Sequence, residues 1–262
     1  MIQNKEIAIL DKISEEMKTL SGHLGFYYKN LVTGTEYGVG EEEIYDAASV
    51  IKLPLFLHVL AQCEEGKMSL DDPIVTEESD KVPGCGALKM FAGAVESDVR
   101  ALCKLMICIS DNTATNRLIR HFGLEDVEKG FVAMGLEKTK IRRFLYDHRE
   151  SLRGVRNTIS PKELGILLEK LYRGEFVNQE VSKYAIEVLS GQQVCHKLEG
   201  KINEEVCVAH KTGEDYMLSN DVGIVYAKNP FVVCFAGHDT NVYYWEDLIR
   251  RAAYDLYKVW ED

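Results

Sequence analysis

A long block of helical patterns, from Asp46 to about Leu189, divides the strand patterns of this sequence into two groups. A hairpin pattern, Leu24 to Val39, precedes the block, and three short apolar strand patterns follow it. These three patterns are Val206 to His210, Val222 to Ala227 and Phe231 to Ala236. The order predicts a mixed α/β (α+β) fold in which a mostly antiparallel sheet carries the helical block as an insertion.

Amphipathic helix patterns lie at both ends of the chain. Between residues 7 and 20 the apolar residues recur at steps of three and four, which places them on one helical face. A similar pattern runs from Trp245 to Trp260. We therefore expect the two terminal helices to cover the sheet.

Five helical segments occupy the inserted block. They are Val50 to Cys63, Val99 to Ile109, Ala114 to Phe122, Pro161 to Tyr172 and Ser182 to Leu189. We predict that residues 46–189 form an all-helical subdomain and that residues 1–45 and 190–262 form an α/β subdomain. Because no Pro/Gly/Ser-rich linker separates the two parts, we expect them to share a wide interface, which is a usual place for a pocket.

The charge balance restricts the partners that this chain can have. Its 262 residues carry 31 Lys and Arg against 42 Asp and Glu, which gives a net charge of −11. A net acidic chain without a basic stripe is not expected to bind nucleic acid or an anionic membrane. An anionic small molecule would need a local basic pocket.

The cysteines and the N-terminus bear on the cellular location. Seven cysteines are scattered along the chain without a CxxC pair, which fits a reducing compartment. The first 20 residues lack the features of a secretion signal, so the protein is predicted to be cytoplasmic as written, and secreted if a leader has been removed. The longest apolar stretches, Leu53 to Ala61 and Leu102 to Ile109, are too short to span a membrane. We expect a monomer that does not associate with membranes.

Ser49 is the only serine that is followed three positions later by a lysine, Lys52. Residues three apart share a helix face, so the Lys52 amine can reach the Ser49 hydroxyl and act as a base if its pKa is lowered. Pro54 places Ser49 close to a helix start, where backbone N–H groups favour a developing oxyanion. The alternative is a serine N-cap followed by a surface lysine.

Two further short motifs each occur once. Ser110-Asp111-Asn112 follows an apolar helix, and the simplest alternative to a functional role is that Asp111 or Asn112 caps the next helix. The segment 211–213, Lys-Thr-Gly, ends the strand pattern that contains His210. A cation, a hydroxyl and a bare backbone at one sheet edge suit a ligand that bears a carboxylate.

Together, the three motifs resemble the signature set of the serine β-lactamases and penicillin-binding proteins. The order of elements is also similar to the class A β-lactamase fold, from residue 24 to Leu248, and Asn220 to Val225 resembles the strand that follows Lys-Thr-Gly in that family. The chain is identified as a member of a class A β-lactamase-related family of serine hydrolases.

The resemblance implies a set of roles in catalysis. Ser49 would be the acylated nucleophile, and Lys52 would accept or relay its proton. Ser110 would pass a proton to the leaving nitrogen. The oxyanion hole would consist of the backbone N–H groups of Ser49 and Glu214.

The resemblance also implies a set of substrate-binding residues. Asn112 would hold the side-chain amide of the substrate, and Gly213 would belong to the substrate-binding strand. Lys211 would attract the substrate carboxylate and lower the pKa of Lys52, while Thr212 would donate a hydrogen bond to that carboxylate. Small residues are usual at the position of Glu214, so its carboxylate is expected to disfavour anionic substrates.

One motif of the family is missing. Class A enzymes carry a Glu-x-x-Leu-Asn segment whose glutamate activates the deacylating water, and the stretch 142–161 contains no such segment. Asn157 to Pro161 resembles the end of that loop. Asp147 and Glu150 are alternative bases, but such residues are more often solvated loop charges, and Asp147 can be structural by pairing with Arg142 or Arg156.

We therefore expect a serine hydrolase that opens amides of the β-lactam type through an acyl-enzyme and deacylates slowly. The expected substrate is a small β-lactam or peptide-like molecule with a carboxylate, and no cofactor is needed. No metal is expected, since Cys207 and His210 lie three apart on a strand and point to opposite faces. A D-alanyl peptidase or esterase similar to the penicillin-binding proteins is one alternative, and a non-catalytic binding or sensor module is another.

Overall fold

The computed structural model describes residues 2–203 and 205–261. The helices are α1 Ile2–Met17, α2 Lys52–Glu64, α3 Val99–Cys108, α4 Asn112–Phe122, α5 Leu124–Ala133, α6 His148–Leu152, α7 Pro161–Arg173, α8 Gln179–Leu189 and α9 Val242–Lys258. The strands are β1 His23–Asn30, β2 Glu36–Val39, β3 Tyr45–Asp46, β4 Pro73–Thr76, β5 Val95–Asp98, β6 Thr158–Ile159, β7 Val208–Asp215, β8 Leu218–Val225 and β9 Phe231–His238. Short 3₁₀ turns cover Ala48–Ile51, Glu78–Asp80 and Leu88–Met90.

The main sheet joins the two ends of the chain. Its five strands lie in the order β2-β1-β9-β8-β7, and each neighbouring pair is antiparallel. The central pairing of β1 with β9 sets Phe26 opposite Phe235. The predicted antiparallel sheet, with the helical block inserted between its strands, is confirmed.

Each face of the sheet has its own apolar core, because side chains alternate along a strand. Phe26 packs with Leu10 of α1 and with Trp245 of α9 on one face. Its neighbour Tyr27 lies on the other face, in the larger core that includes Leu164 of α7 and the residues of α2. The two terminal helices therefore cover the sheet as predicted.

Helix α2 crosses the centre of the inserted part and is buried along most of its length. Its apolar run packs into the larger core. Within residues 2–203 and 205–261, no helix is long and apolar enough to cross a membrane. Because α2 is packed along most of its length, the residues at its start have a fixed position.

The inserted segment differs from the prediction in two respects. It contains the strand pairs β4–β5 and β3–β6, which are too short to give a clear sequence period. It also contains α5, which was not predicted and which follows directly on α4 after Gly123, at a φ of +84°. The segment is mainly helical and also contains these two short strand pairs.

Strand β7 is longer than predicted at its C-terminal end. The predicted strand ended at His210, whereas β7 continues to Asp215 and pairs with β8 throughout. The polar residues that follow His210 hide the strand from a search for apolar alternation. Lys211, Thr212 and Gly213 therefore lie within the strand rather than at its end.

Helix α7 meets the sheet closely at Gly165. A Cβ atom at this position would overlap the buried ring of Tyr27. Although alanine is favoured over glycine by about 1 kcal/mol in a helix, overpacking a core costs about 1–3 kcal/mol. We expect Gly165→Ala to lower the free energy of unfolding measured by urea denaturation.

The neighbouring Ile166 is exposed and provides a control. Ile166→Ala should change the free energy of unfolding by less than about 1 kcal/mol. A Gly165→Ala variant as stable as the unmodified protein would show that α7 can move away from Tyr27.

Candidate active site

Ser49 lies in the 3₁₀ turn Ala48–Ile51, which leads directly into α2. Three parts of the chain hold this turn in place. The backbone oxygen of Asn157 accepts from Ala47 N at 2.9 Å. The side-chain amide of Asn220 donates to the backbone oxygen of Ala47 at 3.1 Å. The third part is Gly213 of β7, where a Cβ atom would lie 3.1 Å from Ser49 N.

The close approach at Gly213 explains why a residue without a side chain lies there. A Cβ atom would also meet Val50 N at 3.0 Å and the backbone oxygen of Ala47 at 3.1 Å. These are backbone atoms that cannot rotate out of the way. The turn that contains Ser49 and the strand that contains Glu214 are therefore in direct backbone contact.

Ala48 adopts a φ of +41°, in the left-handed region that non-glycine residues seldom occupy. Such backbone strain persists only where the surrounding structure enforces it, and it clusters at functional sites. Here it directly precedes Ser49.

The Lys52 ammonium group is fully buried among four oxygen atoms. Its Nζ lies 2.9 Å from Ser49 Oγ and 3.0 Å from Ser110 Oγ. Asn112 Oδ1 and the backbone oxygen of Ser110 each lie at 2.7 Å. A neutral amine has two donors and one lone pair, so it can donate to two of these oxygens and accept a proton from Ser49.

The Ser110-Asp111-Asn112 segment connects α3 to α4, and its middle residue is structural. Asp111 is the N-cap of α4, where its Oδ1 accepts from Ala114 N at 2.9 Å. Its Oδ2 accepts from Ala87 N at 2.7 Å and from Leu88 N at 3.0 Å. The capping role considered for Asp111 is present, while Ser110 and Asn112 are left to face Lys52.

Lys211 brings a second buried cation to the same place. Its Nζ lies 3.3 Å from Ser110 Oγ and 2.9 Å from the backbone oxygen of Thr212. Burial lowers the pKa of Lys211 to about 7, and the charge of Lys197 contributes. Burial also lowers the pKa of Lys52 well below its usual value, and the charge of Lys211 lowers it further.

Lys197 is a third fully buried lysine, which the sequence did not single out. It lies in the segment between α8 and β7, and its Nζ is 2.9 Å from Glu214 Oε1 and 3.2 Å from Ser219 Oγ. Burial alone would raise the pKa of Glu214, but the charge and hydrogen bond of Lys197 lower it. A lone lysine outside any motif carries no sequence signal.

A cleft of about 320 Å³ opens above Ser49, between the segment 142–161 and the edge of β7. Asn112, Asp147 and Glu214 are among the residues that line it. Lys52 does not line the cleft itself but contacts two residues that do, Ser49 and Asn112.

The two alternative bases occupy different surroundings. Asp147 lines the cleft, and its Oδ1 accepts from Glu150 N at 3.0 Å as the N-cap of α6. The carboxylate of Glu150 does not line the cleft and pairs with Arg153 at 2.8 Å. Among the described residues, Asp147 makes no ion pair with either of the two arginines considered for it.

Asn157 holds the segment 142–161 in shape. Its Oδ1 accepts from Arg142 N at 2.8 Å and from Arg143 N at 3.1 Å, and its Nδ2 donates to the backbone oxygen of Arg143 at 3.0 Å.

Known proteins resemble this chain over nearly its whole length. A β-lactamase from Rhodobacter capsulatus is 24% identical over 239 residues, which cover 89% of this chain and 81% of that protein. The structure of PBP-A matches with a TM-score of 0.88 at 26% identity and covers 97% of this chain and 96% of its own. A mutant of PBP-A, solved as an acyl-enzyme complex with penicillin G, matches with a TM-score of 0.86 at 27% identity over 99% of this chain and 97% of its own.

The comparison with protein families agrees with these likenesses. The model of the β-lactamase enzyme family matches residues 8–260. The match spans the main sheet, the inserted helices and the positions of all three motifs. This chain belongs to the β-lactamase enzyme family.

Proposed function

We propose that Ser49 attacks the amide carbonyl of a β-lactam and forms an acyl-enzyme. The observation that carries this proposal is the 2.9 Å distance between Lys52 Nζ and Ser49 Oγ. Because burial and Lys211 lower the pKa of Lys52, a neutral amine is available to accept the hydroxyl proton. A buried lysine that only stabilised the fold would not need a serine hydroxyl within hydrogen-bond distance of its amine.

Ser110 supplies the path for the proton. Its Oγ lies within hydrogen-bond reach of Lys52 and of Lys211, at 3.0 and 3.3 Å. As the bond from Ser49 Oγ to the carbonyl carbon forms, the proton passes to Lys52. When the carbon–nitrogen bond of the ring breaks, the proton passes through Ser110 to the leaving nitrogen. The reaction needs no cofactor.

The substrate in this proposal is a small molecule with a carboxylate, either a β-lactam or a peptide-like amide. Lys211 provides the charge and Thr212 the hydroxyl that would bind this carboxylate, while Asn112 would hold a side-chain amide. Lys197 lies next to the same region, but Glu214 already pairs with it. The chain therefore has a weaker field for anionic substrates than its three lysines alone would produce.

Deacylation is the slow step in this proposal. The segment 142–161 contains no Glu-x-x-Leu-Asn sequence, and the Asp147 carboxylate is engaged as a helix cap. The acyl-enzyme that was solved for a PBP-A mutant supports the same covalent chemistry here.

The seven cysteines are all unpaired, which supports action in a reducing compartment such as the cytoplasm.

Acylation can be followed by intact-mass spectrometry with penicillin G. We expect a single adduct with the mass of the whole antibiotic, because ring opening loses no atoms, and we expect it to persist after excess penicillin is removed. Ser49→Ala should form no adduct. Asp147→Asn should change the rate of adduct loss by less than about twofold, since that carboxylate is engaged as a cap.

Each result of the mass-spectrometry experiment can contradict one part of the proposal. An unmodified protein without an adduct would overturn the assignment of Ser49 as the nucleophile. Rapid loss of the adduct would show that a residue of this chain supplies the deacylation base, and a large effect of Asp147→Asn would identify it.

The second-order rate of acylation should depend on pH in a way that reports the two buried amines. As pH rises, Lys52 becomes neutral and the rate increases, whereas Lys211 loses its charge through its pKa of about 7 and carboxylate binding weakens. Above pH 7 the rate for penicillin G, divided by the rate for its methyl ester, should fall by up to about tenfold per pH unit. The methyl ester of the same penicillin lacks the carboxylate, so its rate should not fall in this range.

Replacement of Glu214 tests the effect of its carboxylate on substrate binding. Glu214→Ser keeps the backbone N–H but releases Lys197, so we expect acylation by penicillin G to become about tenfold faster. Glu214→Gln should show a similar gain, and the penicillin methyl ester should show none. Equal rates for Glu214→Ser and the unmodified protein would mean that Lys197 does not act on the substrate carboxylate.

A further inference from the structure

The face of β7 that points away from the active site holds a buried imidazole with a free nitrogen. His210 and Lys211 are neighbours on the strand, so their side chains project from opposite faces. Nδ1 of His210 lies 2.9 Å from Asp221 Oδ1, and both side chains are fully buried. Nε2 of His210 is buried and has no hydrogen-bond partner among residues 2–203 and 205–261.

Two further potential metal ligands face this nitrogen. Glu199 Oε2 lies 3.8 Å from His210 Nε2. The thiol of Cys195, the carboxylate of Glu199 and the imidazole of His210 all lie within 4.8 Å of one another. Cys195 and Glu199 belong to the segment between α8 and β7, so the cluster joins that segment to the sheet.

The chemistry of this set fits one kind of ion. A thiolate, an imidazole and a carboxylate are ligands that Zn²⁺ binds, with bonds of about 2.0–2.3 Å, whereas Mg²⁺ and Ca²⁺ prefer oxygen alone. Small inward movements of the two segment side chains would bring the ligands to this spacing. At many zinc sites a carboxylate accepts a hydrogen bond from the second imidazole nitrogen and orients the ring. Asp221 would orient the ring of His210 in this way.

We propose that Cys195, Glu199 and His210 bind a Zn²⁺ ion, with Asp221 as the group that orients His210. The fourth position is left for water. Burial, with a contribution from Glu199, raises the pKa of the Cys195 thiol to about 12, so binding displaces its proton. This proposal differs from the expectation from the sequence that no metal is bound. That expectation considered Cys207, and not Cys195, as a partner of His210.

The proposed ion would act on structure rather than on the reaction. Lys197 lies between Cys195 and Glu199 in the chain, and the next residue, Leu198, donates from its backbone N–H to Asp221 Oδ2 at 3.1 Å. An ion bound at both ends of this short stretch would fix the position of Lys197. Because the ion lies on the opposite face of the sheet from Ser49, the proposal stands independently of the acylation chemistry.

A second group of possible ligands carries no such proposal. His196, Glu214 and Glu246 also lie close together, but the Lys197 ammonium is 2.9 Å from Glu214 Oε1. A cation is therefore already bound to one of these carboxylates. All three members of that group are also at least partly exposed.

Titration of the metal-stripped chain with Co²⁺ provides the test, because Co²⁺ substitutes for Zn²⁺ and gives a near-ultraviolet absorption band when it binds a thiolate. We expect the band to saturate at one equivalent and to disappear when Zn²⁺ is added. Cys195→Ser should abolish the band, and Glu199→Gln should weaken Zn²⁺ binding by at least about tenfold in competition with a chelator. Cys207→Ser, which changes a nearby thiol outside the cluster, should bind as the unmodified protein does.

Far-ultraviolet circular dichroism of each variant checks that the fold is retained. Absence of the band from the unmodified protein at saturating Co²⁺ would overturn the proposal. A band that persists in Cys195→Ser, or that disappears in Cys207→Ser, would overturn it as well. None of these measurements uses penicillin, so failure of the metal site and failure of the acylation chemistry are distinguishable.

Discussion

The burial of three lysine ammonium groups in one small region is the constraint on which the rest of the structure depends. Lys52, Lys211 and Lys197 come from a helix, a strand and a connecting segment, and all three are fully buried. A buried charge is costly unless it is paired or neutralised. Glu214 pairs with Lys197, and the other two lysines lose affinity for protons.

The charges of the three lysines act on one another. The charge of Lys197, closest to a carboxylate, lowers the pKa of Lys211, and Lys211 in turn lowers the pKa of Lys52. Burial is the larger cause of the lowered pKa in Lys52 and in Lys211, and the neighbouring charges add to it. A single buried lysine would depend on desolvation alone, whereas here the electrostatic field across the sheet contributes.

The sequence predicted those parts of the site that depend on short spacing. Ser49 and Lys52 share a helix face, and their contact follows from local geometry. Lys197 was missed because its role depends on contacts with Glu214 and Ser219, which only the folded chain brings near. The length of β7 was missed for a related reason, since polar residues form its second half.

The contact at Gly213 gives the catalytic site an unusual dependence on the whole fold. The backbone turn at Ser49 and the strand β7 are separated by more than half of the chain, and they meet without any intervening side chain. Such a contact has no flexible atoms that could take up a displacement. A slight parting of the sheet from the inserted helices would therefore separate the backbone N–H groups that we propose as the oxyanion hole while every secondary-structure element remained intact, so that loss of activity would precede unfolding.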